Sequence, residues 1–120
     1  MNKKSFLITA MMVLLACSVG ICQGRTIYVD SDADGANDGS DWANAYNFLQ
    51  DALADANSGH NISEIWVAQG IYRPDETSTD PNGTGDREAT FQLINGVALR
   101  GGFAGYSGPD PNIRDIDLYE

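Results

Sequence analysis

The sequence predicts a mostly β chain that carries a single amphipathic helix near its start. Three observations lead there. Short runs of β-branched and aromatic residues recur, as in Thr26-Ile27-Tyr28-Val29 and Ile65-Trp66-Val67. Clusters of Gly, Asn, Asp and Pro separate these runs, and such residues favour turns. One stretch alone has helical spacing, with Trp42, Tyr46, Leu49, Leu53 and Ala56 at intervals of 4, 3, 4 and 3.

Before these elements comes an export segment. Lys3 and Lys4 precede an almost unbroken apolar run over residues 6–16, and small or polar residues follow up to Gly24. That is the layout of a secretory signal peptide over residues 1–24. The run falls short of the roughly 20 apolar residues a spanning helix needs, so no stable membrane span is expected once it is removed. An uncleaved N-terminal anchor is the alternative. Cleavage after Gly24 places small residues at Cys22 and Gly24, whereas lipoprotein processing at Cys17 would follow Leu14-Leu15-Ala16. The expected location is secreted or cell-surface.

Removal of the leader changes the charge. The whole chain carries −10, but residues 25–120 hold five arginines, no lysine and all 17 acids, and 5 minus 17 gives −12. Few cations mean no phosphate-neutralising surface, which argues against nucleic acid as a partner. Both cysteines lie in the leader and His60 is the sole histidine. Cysteine catalysis, Cys-ligated zinc and histidine-rich metal sites are therefore excluded from residues 25–120.

Residues 25–30 read as the first strand. The polar loop that follows, residues 30–41, has the spacing of a calcium loop: Asp30, Asp32 and Asp34 at positions 1, 3 and 5, Gly35 at the sharp turn, the Ala36 carbonyl at 7, Asp38 at 9 and Asp41 at 12. Alternating hard oxygens on a tight turn are what Ca²⁺ coordination requires. Asp at the last position and a strand in place of an entering helix depart from the helix–loop–helix pattern. The competing reading is an acidic turn that caps the next helix.

The helix is expected over residues 42–57, capped by Ser40 or Asp41, with Trp42, Tyr46, Leu49 and Leu53 as its packing stripe and Asn57-Ser58-Gly59 as its stop. Carbohydrate stacking is the alternative role for Trp42. Residues 62–68 read as the second strand, with Trp66 in the core. Ile71 and Tyr72 add a short extended piece, residues 75–88 form a surface loop, and residues 89–93 and 97–100 read as two further strands around the turn dipeptide Asn95-Gly96. Asn61-Ile62-Ser63 and Asn82-Gly83-Thr84 match the glycosylation pattern. No carboxylate pair among Asp86, Glu88, Asp115 and Asp117 has a catalytic signature, and Arg100 reads more simply as a solvated or salt-bridged side chain. Four short strands and one helix bury little surface, which suits one end of a stacked repeat better than a closed domain.

Taken in order, Arg25-Thr26-Ile27-Tyr28-Val29-Asp30, the loop from Gly35 to Gly39, and Ser40-Asp41-Trp42-Ala43-Asn44-Ala45-Tyr46 are followed by Leu49-Gln50-Asp51-Ala52-Leu53. Glu64-Ile65-Trp66-Val67-Ala68, Gly70-Ile71-Tyr72, Pro74, Arg87, Thr90-Phe91-Gln92-Leu93, Gly96-Val97 and Gly101-Gly102-Phe103-Ala104-Gly105 complete the set. It resembles the N-terminal block of secreted bacterial right-handed parallel β-helix proteins of the pectate-lyase-like superfamily, over nearly all of residues 25–117. The resemblance implies the start of a right-handed parallel β-helix: residues 25–120 would be its N-terminal cap and first coils. Ser40, Trp42, Tyr46, Leu49 and Leu53 would belong to a helix shielding the end of the stack. It also implies an incomplete product, with further coils expected beyond Glu120. Lyase members of the superfamily carry calcium-binding acids and a catalytic arginine in later coils. No residue here matches them, so no catalytic residue is assigned.

Three functions follow as expectations: the cap of an exported surface or adhesive protein, the non-catalytic start of a polysaccharide lyase or hydrolase, or a small calcium-dependent binding module. The partners expected are an extracellular polysaccharide or the missing downstream coils. Ca²⁺ at the 30–41 loop is the one cofactor considered.

Overall fold

The computed structural model describes residues 24–119. The leader read over residues 1–24, with the alternative processing site at Cys17, lies outside the described residues except for Gly24. The elements run β1 (Arg25–Val29), α1 (Leu49–Ala56), β2 (Ile62–Ala68) and β3 (Ala98–Phe103). The three strands form one sheet in the order β1-β2-β3, and both neighbouring pairs are parallel.

Alternation in β1 and β2 produces two faces. Ile27 pairs with Ile65 and Val29 with Val67, and all four point into the core beneath α1. The helix contributes Leu49, Ala52, Leu53 and Ala56 to that core. Alanine at two of the four positions lets its backbone lie close to the sheet. The opposite face carries Tyr28 beside Trp66. Trp42 and Phe103 close over it: the Tyr28 and Trp42 ring centroids are 4.9 Å apart, and Trp66 and Phe103 stack at 4.7 Å and 12°. Aromatic pairs at such separations add about 0.5–1.5 kcal/mol each beyond the area they bury.

The helix is shorter than its periodicity predicts, and the reason is local competition for backbone groups. Residues 42–47 are drawn to the free edge of β1. Tyr46 N–H donates to the Tyr28 carbonyl at 2.9 Å, and Asp30 N–H donates to the Tyr46 carbonyl at 2.8 Å. Asp41 Oδ1 accepts the Asn44 N–H at 2.8 Å, an Asx turn in place of a helical one. Helical geometry therefore begins only at Leu49, after an extended Phe48 that makes no side-chain capping bond. The expected cap at Ser40 or Asp41 is not formed, because the Ser40 hydroxyl donates to Asp38 Oδ1 at 2.6 Å. Trp42 and Tyr46 leave the helical stripe: Trp42 covers the outer face, and Tyr46 packs beside the inner core. Leu49 and Leu53 are buried on α1, as the stripe required.

The β-helix expectation is overturned. Coils of a β-helix return each chain segment to two or three separate parallel ladders, but the described residues contain one open sheet of three strands and one short helix. The chain from 69 to 97, where a coil would form its second face, has no strand. The short strands expected at Ile71-Tyr72 and at residues 89–93 do not form. Phe91, Ile94 and Val97 pack against the core one at a time from irregular backbone. Side chains of α1 hold that backbone instead of a ladder: Gln50 Nε2 donates to the Pro74 carbonyl at 2.6 Å and the Thr90 carbonyl at 2.8 Å, and Asp51 Oδ2 accepts the Ser78 N–H at 3.0 Å. The end-capping role of Ser40, Trp42, Tyr46, Leu49 and Leu53 falls with the stack it was to shield.

Candidate functional site

The acidic loop was the richest motif in the sequence, and the structure turns its oxygens towards the backbone. Asp30 ends β1 and is 1% exposed. Its Oδ1 accepts the Asp32 N–H at 2.9 Å and its Oδ2 accepts the Tyr106 N–H at 2.6 Å. One carboxylate thus ties the end of β1 to the loop after β3. Gly105 makes the approach feasible. At φ +79° it takes a conformation side chains avoid, and a Cβ there would collide with the Ala68 methyl and the Asp30 carboxylate.

The other expected ligands are likewise drawn into local bonds. Asp38 Oδ1 accepts both the Ser40 hydroxyl and its N–H, and these bonds hold the carboxyl below the usual range. Asp41 is engaged by the backbone and side chain of Asn44. Asp34 bonds the Tyr106 hydroxyl and raises its pKa. Ala36 donates its N–H to Asn44 Oδ1 at 2.8 Å, and Asp32 stands exposed at the loop surface. Among the described residues no group of three or more His, Cys, Asp or Glu is placed to hold a metal ion. Asn44 and Asn47 organise the loop instead. Asn47 Nδ2 donates to the carbonyls of Asp30 and Ala33, at 3.1 and 2.7 Å. The signal for them was present in the sequence, since Asn is a turn residue as much as Asp is.

A second polar cluster went unnoticed in the sequence. At the C-terminal end of α1, His60 Nδ1 meets Asp55 Oδ1 and lies 2.9 Å from Ser58 Oγ. Tyr46 donates its hydroxyl to Asp55 Oδ2 at 2.9 Å, and Arg25 stands 3.8 Å from the same oxygen. Burial pushes the Asp55 carboxyl up, but His60, Tyr46 and Arg25 outweigh it and hold the pKa below the usual range. Burial and Asp55 together push the Tyr46 phenol up to about 12. The residue types are those of a serine hydrolase, but the arrangement is not. A relay needs the acid on one imidazole nitrogen and the nucleophile on the other. Here Ser58 and Asp55 share Nδ1, so the cluster clamps the α1–β2 turn.

Hollows beside α1 measure about 80 Å³, near Phe48 and Tyr72, and about 160 Å³, near Leu53 and Ile94. Both lie below the roughly 300–1,000 Å³ of small-molecule sites.

The remaining feature is the outer edge of β3. The near edge of β1 is covered, since the Gly39 carbonyl accepts the Tyr28 N–H and Tyr46 bridges to Val29. On β3 only the C-terminal half is covered. Arg114 bridges to Phe103, and Asp115 N–H donates to the Gly102 carbonyl at 2.8 Å. Residues 98–101 are exposed, and no strand lies beyond them among the described residues. The apolar row of the inner face continues across the sheet as Ile27, Ile65 and Leu99, and their exposures are 0%, 0% and 39%. The helix that covers the first two contacts β1 and β2. Arg100, one row over on the outer face, pairs with Glu64 at 2.7 Å, as the salt-bridged reading expected.

Comparison of the chain with protein-family models, curated proteins and solved structures finds no match.

Proposed function

We propose that this chain is an exported, non-catalytic surface module that acts by pairing the open edge of β3 with another polypeptide strand. The observation that carries the reading is the Ile27–Ile65–Leu99 row, which leaves the helix's cover at the same strand whose outer edge is free. An edge of that kind is a template for strand addition, in which main-chain bonds give affinity and side-chain rows set register. Export is supported by the Lys3-Lys4 pair and the apolar run behind it. A polysaccharide partner has less support. Trp42 is 8% exposed, and its indole N–H is spent on Asn112 Oδ1 at 2.8 Å.

Cell fractionation with chemical cross-linking tests the proposal. The full chain, tagged at its C-terminus and produced in an exporting bacterium, is expected outside the cytoplasm, beginning at Arg25 and cross-linked to another polypeptide. The Leu99→Glu chain is expected outside the cytoplasm but free of that cross-link. Retention in the cytoplasm with the leader intact, or equal cross-linking of the two chains, would overturn the reading.

A further inference from the structure

We infer that the partner at this edge is a second copy of the chain, β3 against β3 across a two-fold axis; the inference rests on the strand-pairing reading above. Three observations favour a second copy over a foreign strand. The first is the shape of the apolar surface. Leu93, Leu99, Ile113, Ile116 and Leu118 are exposed, and they come from β3, from the segment leading into it and from the segment running beside it. A two-fold axis through β3 sets Leu99 next to its own counterpart. The interrupted core row is then closed from both sides by one self-complementary patch.

Charge is the second observation. The described chain is strongly acidic, but the neighbourhood of β3 carries both signs. Arg100 lies on the strand and Arg114 along its flank, with Arg114 Nε donating to the Gly101 carbonyl at 2.7 Å. Asp115 and Asp117 follow on the same flank. A two-fold axis brings the arginines of one copy towards the acids of the other. A polycationic partner would instead find its strongest attraction at the acidic loop of residues 30–41. The third observation is what the edge lacks. Residues 98–101 read Ala-Leu-Arg-Gly, without the lysine, proline or inward charge that commonly guards exposed edges. The outcome is a continuous six-stranded sheet with β3 strands antiparallel at its centre.

Salt gives the pairing a signature. Each copy carries 5 minus 17, or −12, over residues 25–120, so long-range repulsion opposes association and added salt screens it. A dimer through β3 therefore tightens as ionic strength rises, whereas a complex held by net charge attraction loosens.

Sedimentation velocity of the exported product, at micromolar concentration and in low and moderate NaCl, tests the inference. The expected result is a monomer–dimer equilibrium that shifts to dimer with salt. Leu99→Glu and, independently, Leu118→Glu are each expected to weaken it roughly tenfold or more, while the near-ultraviolet circular dichroism of the aromatic cluster stays native. A monomer at every concentration and salt overturns the dimer; if the cellular cross-link persists, the strand-pairing reading stands with a different partner. Dimers unaffected by both natively folded variants place the contact elsewhere and overturn the assignment to β3. Dimers that dissociate with salt overturn it as well.

Discussion

Replacing Asp30 with alanine should be among the most damaging single changes outside the apolar core. The carboxylate joins two segments that are 76 residues apart in sequence and accepts two backbone N–H groups. Hydrogen bonds to a charged group are worth about 1.5–3 kcal/mol each, and a donor left without a partner costs about 1–3 kcal/mol. Asp32 and Tyr106 are exposed residues, so water recovers part of the loss at both donors. That places the expected destabilisation near the lower end, about 3 kcal/mol, out of a total of roughly 5–15 kcal/mol for a domain. At about 4–8 °C per kcal/mol for a chain of this size, the melting temperature should fall by about 12–24 °C. Asp30→Asn keeps the shape and one acceptor oxygen but turns an NH₂ group towards the second donor, so about half of that loss is expected. Urea unfolding of the exported product, followed by tryptophan fluorescence, measures both. A loss below about 1 kcal/mol for the alanine variant, or an asparagine variant less stable than the alanine one, would refute the view that this carboxylate pins β1 to the β3 loop.

Gly105→Ala meets the same junction from the other side, with the penalty of a positive φ added to a collision with Ala68 and Asp30; a loss of about 2–4 kcal/mol is expected in the same urea assay. Alkali should destabilise the fold. Burial pushes the Tyr46 and Tyr72 phenols up to about 12, so the folded chain keeps protons that the unfolded chain releases above pH 10; stability should be intact below pH 10 and fall as pH rises towards 12. A phenolate absorbance titration with every tyrosine ionising near 10 would contradict this. Acid should act through Asp55, whose folded pKa is depressed: its contribution is present above the ordinary value of 3.8 and is lost as pH falls through the lower, folded value. Asp55→Asn should flatten that limb of a stability–pH curve. Millimolar Ca²⁺ should leave the melting temperature unchanged, because Asp30, Asp38 and Asp41 are already engaged by backbone and side-chain donors; a saturable rise would restore the loop as a ligand.

What could be read from the residues was what depends on neighbours in sequence. β1 and β2 follow from alternation in Thr26-Ile27-Tyr28-Val29 and Ile65-Trp66-Val67, and β2 spans residues 62–68 as read. The last strand was placed over residues 97–100 and runs to Phe103 instead, because Gly101 and Gly102 were taken for a stop. The helix was legible from Leu49 onward. Its first half was not, because the alternative for Tyr46 is a bridge to β1, a non-local partner that no period reveals. The acidic loop shows the same limit more sharply. Its spacing is compatible with coordination and with turn-making alike. The choice was made by Tyr106, far along the chain, whose N–H draws Asp30 into the interior. The cluster of Asp55, Ser58 and His60 was within reach of local reading. It was passed over because a lone histidine after a helix has no distinctive pattern.

The acids and the open edge belong to one physical argument. A three-stranded sheet with a free strand is exposed to indiscriminate pairing, and lysines at the edge are a common safeguard. Here the safeguard is global. Carboxylates that serve locally as turn-formers also give the described chain a surface of one sign, which opposes close approach in most orientations. That repulsion is weakest where Arg100 and Arg114 interrupt it, and there the apolar row of Ile27, Ile65 and Leu99 reaches the surface. Charge then selects the orientation and burial of Leu99 supplies the affinity. It follows that neutralising the arginines should cost specificity before it costs stability. Arg114→Gln in the exported product should leave the urea midpoint nearly unchanged. It should weaken the dimer at low salt more than at high salt, and a variant equally impaired at both would show that the arginine acts through packing on Phe103 and not through its charge.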